Sequence, residues 1–366
     1  MSDMTHSKVD DNTGLSRRKF LIGTGAILAA PMVLRGNAWA AGKSLYVSTY
    51  VGVQGQVIAD EIIPQFEKDY RCKVFQTQTT TLPTIATLRT EKNHPRLSVA
   101  MMDDVAIPIA KREGLIAQIP ADRVPNLTKV FKNYVYEDGY GAAFSISRIT
   151  PWYNTQALGS EKPTSWQDLW DDKFKKRFIM VSPKWTNSLA ILTMAASHVD
   201  GKPPLQAQYD IDKAWDRMTE LVPNVFSIHE NSGGAVLQVV QSQADIAGPD
   251  HSKSILPYIV KGAPIELMDP KEGSFAGVNA ITLVNNAPEP ELAAAFIDRI
   301  LSPEVQQRLA EATLTAPVRE GITLSEAAAK YVKTDEESLA SLINLDWTFI
   351  NPKRSEIIDK FNHTFL

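Results

Sequence analysis

Cysteine is almost absent from this chain of 366 residues: Cys72 stands alone, which excludes an intramolecular disulfide and any cysteine metal cluster. The six histidines are scattered with no metal-ligand spacing, so no metal is expected. No Gly-rich phosphate cradle is present, and Ser232-Gly233-Gly234 lacks the flanking pattern of a nucleophile elbow. These gaps leave no recognisable catalytic constellation and no cofactor site, and the chain is expected not to be an enzyme. Positive charge is also scarce, with 38 Lys and Arg against 42 Asp and Glu. No basic patch suits nucleic acid or anionic lipid. Beyond the first forty residues no apolar run approaches the roughly 20 residues needed to cross about 30 Å of hydrocarbon.

Those first forty residues differ from the rest. A polar start leads into Ser16-Arg17-Arg18-Lys19-Phe20-Leu21, then an apolar stretch to Leu34, then Ala38-Trp39-Ala40. A charged region, a short apolar region and a small-x-small site are the three parts of an export signal. Paired arginines directly before Phe-Leu point to the twin-arginine route. Gly23, Gly25 and Pro31 interrupt the apolar part, against a permanent anchor, and no cysteine follows it to take a lipid. Cleavage after Ala40 is expected to leave 326 soluble residues in the periplasm. Removing the five basic and three acidic side chains of the leader leaves 33 and 39, a net charge of −6.

From Lys43 onward strand-like and helical runs alternate. Ser44–Tyr50, Lys73–Thr79 and Leu97–Met102 read as strands, with helices over Val57–Tyr70, Pro83–Glu91 and Ile107–Glu113 between and after them. Repeated β-α-β units imply a parallel sheet covered on both faces. Gly141–Asn154 breaks the rhythm as a long extended crossing. Strands Phe178–Ser182, Val225–His229, Asp245–Ala247 and Ile265–Met268 then alternate with helices near 187–197, 211–221, 235–241 and 252–260, before a second crossing at Phe275–Val284. Ser302-Pro303-Glu304 is a helix start, with a cap, a proline at the first position and an acid in the first turn. Pro163–Asp172 and Gly201–Gln208 read as surface connections. The expectation is an α/β fold of two lobes joined by two hinge crossings. Its divisions are 41–147 plus 276–320 for lobe 1, 148–275 for lobe 2, and a C-terminal helical segment at 321–366.

Several stretches in this order carry a resemblance: Pro64-Gln65-Phe66-Glu67, Met102-Asp103-Asp104 with Glu113-Gly114-Leu115, Tyr153-Asn154-Thr155, Pro163-Thr164-Ser165-Trp166-Gln167-Asp168-Leu169, Pro270-Lys271-Glu272-Gly273 and Leu301-Ser302-Pro303-Glu304-Val305-Gln306. From about Lys43 to Val318 the chain resembles the type II periplasmic solute-binding proteins of ATP-driven (ABC) importers, in the branch of spermidine/putrescine and ferric-ion binders. The resemblance implies a monomer that closes two lobes on a small-molecule ligand and delivers it to a membrane permease. The leader implies the twin-arginine export machinery as a further partner. A sensory receptor on the same fold is the alternative role.

In open parallel sheets, ligands bind beyond the carboxyl ends of strands. The candidate ligand contacts are therefore Thr49, Tyr50 and Thr80 after the first two strands, and Asp103 and Asp104 after the third. In the second lobe they are Trp152, Trp185, Ser232, Asp250 and Phe275. Carboxylates and ring faces together favour an organic amine or polyamine-like cation. Each has a plainer reading, as turn, helix cap or core. Phe275 falls where the resemblance places a ligand-stacking tryptophan, yet Gly277 stands where polyamine binders carry a carboxylate, and Trp152-Tyr153 is not the adjacent tyrosine pair of ferric binders. Arg148, in the first crossing, could instead hold a carboxylate or phosphonate, or bridge the hinge.

Overall fold

The computed structural model describes residues 42–366; the leader with its paired arginines lies outside the described residues. Eleven strands form one continuous sheet: β1 (Ser44–Tyr50), β2 (Lys73–Thr79), β3 (Val99–Asp103), β4 (Ile116–Ala117), β5 (Val135–Tyr136), β6 (Gly141–Asn154), β7 (Phe178–Val181), β8 (Val225–His229), β9 (Ile246–His251), β10 (Ile265–Leu267) and β11 (Phe275–Val284). The main order is β2-β1-β3-β11-β6-β9-β7-β8, with β4 on β11 and β5 and β10 on β6. Strands β2, β1 and β3 pair in parallel, as do β8, β7 and β9. The two long strands β6 and β11 run antiparallel to each other and to their neighbours.

Helices fill the intervals in the expected places. That over 53–70 is continuous but passes through a wide π turn at Ile58–Ile62 immediately before Pro64. Proline has no N–H to donate to the preceding turn, and a wider turn accommodates the missing bond. Ser302 caps the helix Pro303–Thr313 by accepting from the Val305 N–H. One reading needs correction: Pro163–Asp172 is not a surface connection. Ser165 caps a short 3-10 helix at Trp166–Trp170, and Trp166 and Leu169 are fully buried. The indole donates to the Gly273 carbonyl at 2.8 Å, anchoring this stretch beneath the start of β11.

Two sets of cores define the lobes. The first joins Leu45, Val47, Phe66, Phe144, Ile281, Phe296 and Leu309, with a flanking cluster around Met102 and Ile107. The second joins Trp166, Phe178, Met180, Leu192, Met218 and Phe275, with a flanking cluster around Trp152 and Val236. Strand β6 contributes to both, Phe144 to one and Ile149 and Tyr153 to the other. It is buried along its whole length except at half-buried Arg148, so each crossing is a core strand as well as a connection.

The C-terminal segment belongs to both lobes. Val332, Leu339 and Leu342 pack into the first core, then Ile343, Trp347, Ile350, Ile357 and Phe361 into the second. On the way Ile343 forms a parallel bridge beside Phe275, its N–H to the Ser274 carbonyl and its carbonyl to the Ala276 N–H, both at 2.9 Å. Asn351 reaches back to the Val105 carbonyl after β3 at 2.8 Å. This tail is a third covalent path between the lobes.

Candidate functional site

A cleft of about 1080 Å³ opens beyond the carboxyl ends of β1, β3, β8 and β9, with walls from both lobes. On one side lie Tyr50, Thr80, Thr81 and Asp103, on the other Trp185, Ser232, Asp250 and Lys253, with Asn279 of β11 between.

The first wall is organised around Asp103. Its Oδ1 accepts from the Tyr50 hydroxyl at 2.8 Å and the Asn279 amide at 2.9 Å, and its Oδ2 from the Thr81 hydroxyl at 2.8 Å. Strand register explains the convergence. Asn279 lies directly opposite Asp103 in the antiparallel β3–β11 pair, and Tyr50 ends the adjacent β1. Gly55 lets the next helix sit directly on that strand end; a Cβ there would lie 1.9 Å from the Tyr50 carbonyl oxygen. Burial, and then the negative Asp103, hold the Tyr50 phenol well above its usual range, so it remains a donor. A carboxylate offers about four lone-pair positions, and three are taken.

The second wall is organised around Asp250. The buried Trp152 indole donates to Oδ2 at 2.8 Å and Ser232 to Oδ1 at 2.8 Å. His229 Nε2 lies 3.2 Å from Oδ2, close enough to pair but not aligned as a hydrogen bond. Burial pushes this carboxyl upward, but His229 and the two donors outweigh it and hold the group below the usual range. Asp250 is therefore an anion fixed at the cleft base. Trp185 stands out from the same wall with half its surface exposed, a free ring face.

His251 and Lys253 continue the second wall toward β11. The imidazole is pushed down to about 4 by burial and by Lys253, so it is neutral at neutral pH. Ser147 Oγ is 3.0 Å from His251 Nδ1. This ring fills the space that a side chain at 277 would need: a Cβ on Gly277 would lie 2.3 Å from Nδ1. A carboxylate at 277 is sterically excluded by His251.

The sequence-derived candidates divide accordingly. Tyr50, Thr80, Asp103, Trp185, Ser232 and Asp250 line the cleft. Thr49 does not: it is buried and accepts from the Gln76 amide at 2.6 Å. Trp152 is fully buried behind Asp250, acting on the cleft only through it. Phe275 is core, edge-on to Trp166 with ring centres 5.6 Å apart. Beside Ser232, the Gly233 and Gly234 N–H groups donate to the capping Asn231 side chain at 2.8 and 3.2 Å. Arg148 does not line this cleft; it pairs with Asp269 of its own lobe at 3.0 Å. Lys253, Asn279, His229 and His251 were missed. Asn279 had a signal, an amide in the largely apolar run of β11; Lys253 had none until the helix Ser252–Val260 placed it in the first turn. Among the described residues no group of three His, Cys, Asp or Glu converges as a metal site.

Asp104 also falls short of the main cleft. It lines a void of about 20 Å³ at the hinge, beside Trp347 of the tail. Burial raises its carboxyl to about 7; Asp103 adds to the rise, and the nearby Trp347 indole and the Val105 N–H only partly offset it. A carboxyl raised on folding stabilises the protein below its unfolded value of about 4, and that stability is lost as pH rises through about 7. Asp104→Asn is therefore expected to melt progressively higher than the wild type from pH 4.5 to 8, the gap widening by several degrees. A gap constant across that range would refute a buried, ionising Asp104.

Comparison with known proteins agrees with this architecture. A family model described as bacterial extracellular solute-binding protein matches residues 61–336. The chain is 22% identical over 276 residues to spermidine/putrescine-binding periplasmic protein 1 of Haemophilus influenzae, covering 74% of each. It is also 22% identical over 256 residues to the spermidine/putrescine-binding periplasmic protein of Escherichia coli, covering 68% of this chain and 71% of that one. A solved ABC transporter structure from Clostridium perfringens superposes with a TM-score of 0.76 at 20% identity, over 88% of this chain and all of the other. The chain belongs to the bacterial extracellular solute-binding protein family.

Proposed function

We propose that this protein is the periplasmic receptor of an ABC importer, exported through its twin-arginine leader, and that it captures a small polar organic solute bearing a protonated amine for delivery to the membrane permease. The observation that carries the reading is the pair of carboxylates, Asp103 and Asp250, facing one cleft from opposite lobes with the exposed Trp185 ring beside them. Each carboxylate keeps room for a further donor, and a ring face attracts a cation by about 0.5–2 kcal/mol. Contacts from both walls would make affinity depend on lobe closure. The polyamine ligands named for two relatives are consistent with an amine. The space at Gly277, filled by His251, argues for a different amine from theirs. Mass spectrometry of solute released on denaturing freshly purified protein tests the proposal: a compound with a basic nitrogen is expected, and one without it would refute the amine.

A further inference from the structure

Resting on that receptor reading, we infer that the solute is a zwitterion, whose ammonium is taken by Asp103 and whose carboxylate or phosphonate is taken by Lys253. The ammonium of Lys253 lines the cleft and donates to the Asn279 carboxamide oxygen at 2.6 Å, and among the described residues no carboxylate lies within 4 Å of it. Asn279 in turn donates to Asp103 at 2.9 Å. A single carboxamide thus separates a cation from an anion and holds each in place, a matched pair of opposite charges presented side by side.

An ammonium has three donors and here spends one. Its surroundings make the remaining two costly to leave unanswered. The group is desolvated, which holds its pKa below the usual lysine range despite nearby Asp103. It also sits in the first turn of the helix Ser252–Val260, where the helix dipole opposes a cation and favours an anion. An acid group on the ligand answers each of these at once and forms charge-assisted hydrogen bonds. A diamine would place a second positive charge against Lys253.

Asp103 is complementary. Three of its lone-pair positions are held by Tyr50, Asn279 and Thr81, which fixes its orientation and leaves one acceptor toward the cleft. Lys253 is equally fixed by Asn279 below and by the Tyr50 ring, whose centre is 5.8 Å from the ammonium.

Titration calorimetry on the mature chain, stripped of bound solute, tests this with four probes: putrescine, succinate, and the zwitterions 4-aminobutanoate and 2-aminoethylphosphonate. At least one zwitterion is expected to bind 30-fold or more tighter than putrescine or succinate, and Lys253→Gln is expected to weaken it by a similar factor. The ligand-free melting temperature of Lys253→Gln should match or exceed the wild type, separating a binding role from a structural one. Tighter binding of putrescine than of any zwitterion, unchanged affinity in Lys253→Gln, or a released natural solute without an acid group would overturn the inference while leaving the receptor reading intact. Binding of none of the probes, together with no small solute released from fresh protein, would sink the receptor reading itself.

Discussion

Ending the chain after Asn344 is expected to abolish a stable second lobe, giving a protein that aggregates or melts without cooperativity. The truncation removes Trp347, Ile350, Ile357 and Phe361, all buried in the core that also holds Trp166, Phe178 and Met218. Large buried side chains removed singly cost about 2–5 kcal/mol each. Four together approach or exceed the roughly 5–15 kcal/mol by which a domain is stable. The tail also closes bonds no other segment supplies, among them the Asp346 N–H to Gln208 at 2.6 Å and Asn351 to the Val105 carbonyl. A graded check is Phe361→Ala, which loses the edge-on contact with Trp215 and is expected to cost about 3–5 kcal/mol. Thermal unfolding followed by circular dichroism reads both variants. A truncated chain that melts cooperatively at the wild-type temperature would show that the tail is an appendage.

Asp103→Asn is expected to lower affinity for the natural solute about 100-fold, near 2.7 kcal/mol. Two losses combine. The carboxylate accepts three bonds from groups fixed by backbone register, so an amide NH₂ in its place must face one of those donors. A buried donor left without an acceptor costs about 1–3 kcal/mol. The ligand's ammonium also loses its charged partner. Thr81→Ala removes one donor and keeps the charge, so a loss of tenfold or less is expected. Calorimetry with solute recovered from the wild type distinguishes the two. An Asp103→Asn variant that binds as tightly as wild type would place the amine elsewhere.

The comparison of Trp152 and Trp185 shows where linear reading reached its limit. Both are indoles just beyond or beside a predicted strand, and nothing local separates them. In the structure one is fully buried and donates to Asp250, while the other is half exposed over the cleft. The difference lies in which strand neighbours each residue meets. Trp152 pairs with Ala247 on β9 and Leu267 on β10, a position enclosed on both sides, and Trp185 precedes a 3-10 turn at the strand end. Phe275 was misplaced for the same reason: a crossing strand has two faces, and only the tertiary packing of Trp166 shows which one Phe275 uses.

Strand and helix order, the two crossings and the strand-end location of the cleft were legible because they follow from local chemistry. Apolar periodicity, β-branched runs and helix caps act over a few residues, and β1, β2, β6, β8 and β11 have the bounds expected from them. The charge partners were not legible. Asn279 and Asp103 are 176 positions apart and Trp152 and Asp250 are 98 apart. Their meeting depends on register between strands distant in sequence. Register is set by how the whole sheet buries its faces, a collective property of the fold. Sequence alone therefore determined two α/β halves joined by two long crossings; the folded sheet decided that Lys253 and Asp103 stand side by side in the cleft between them.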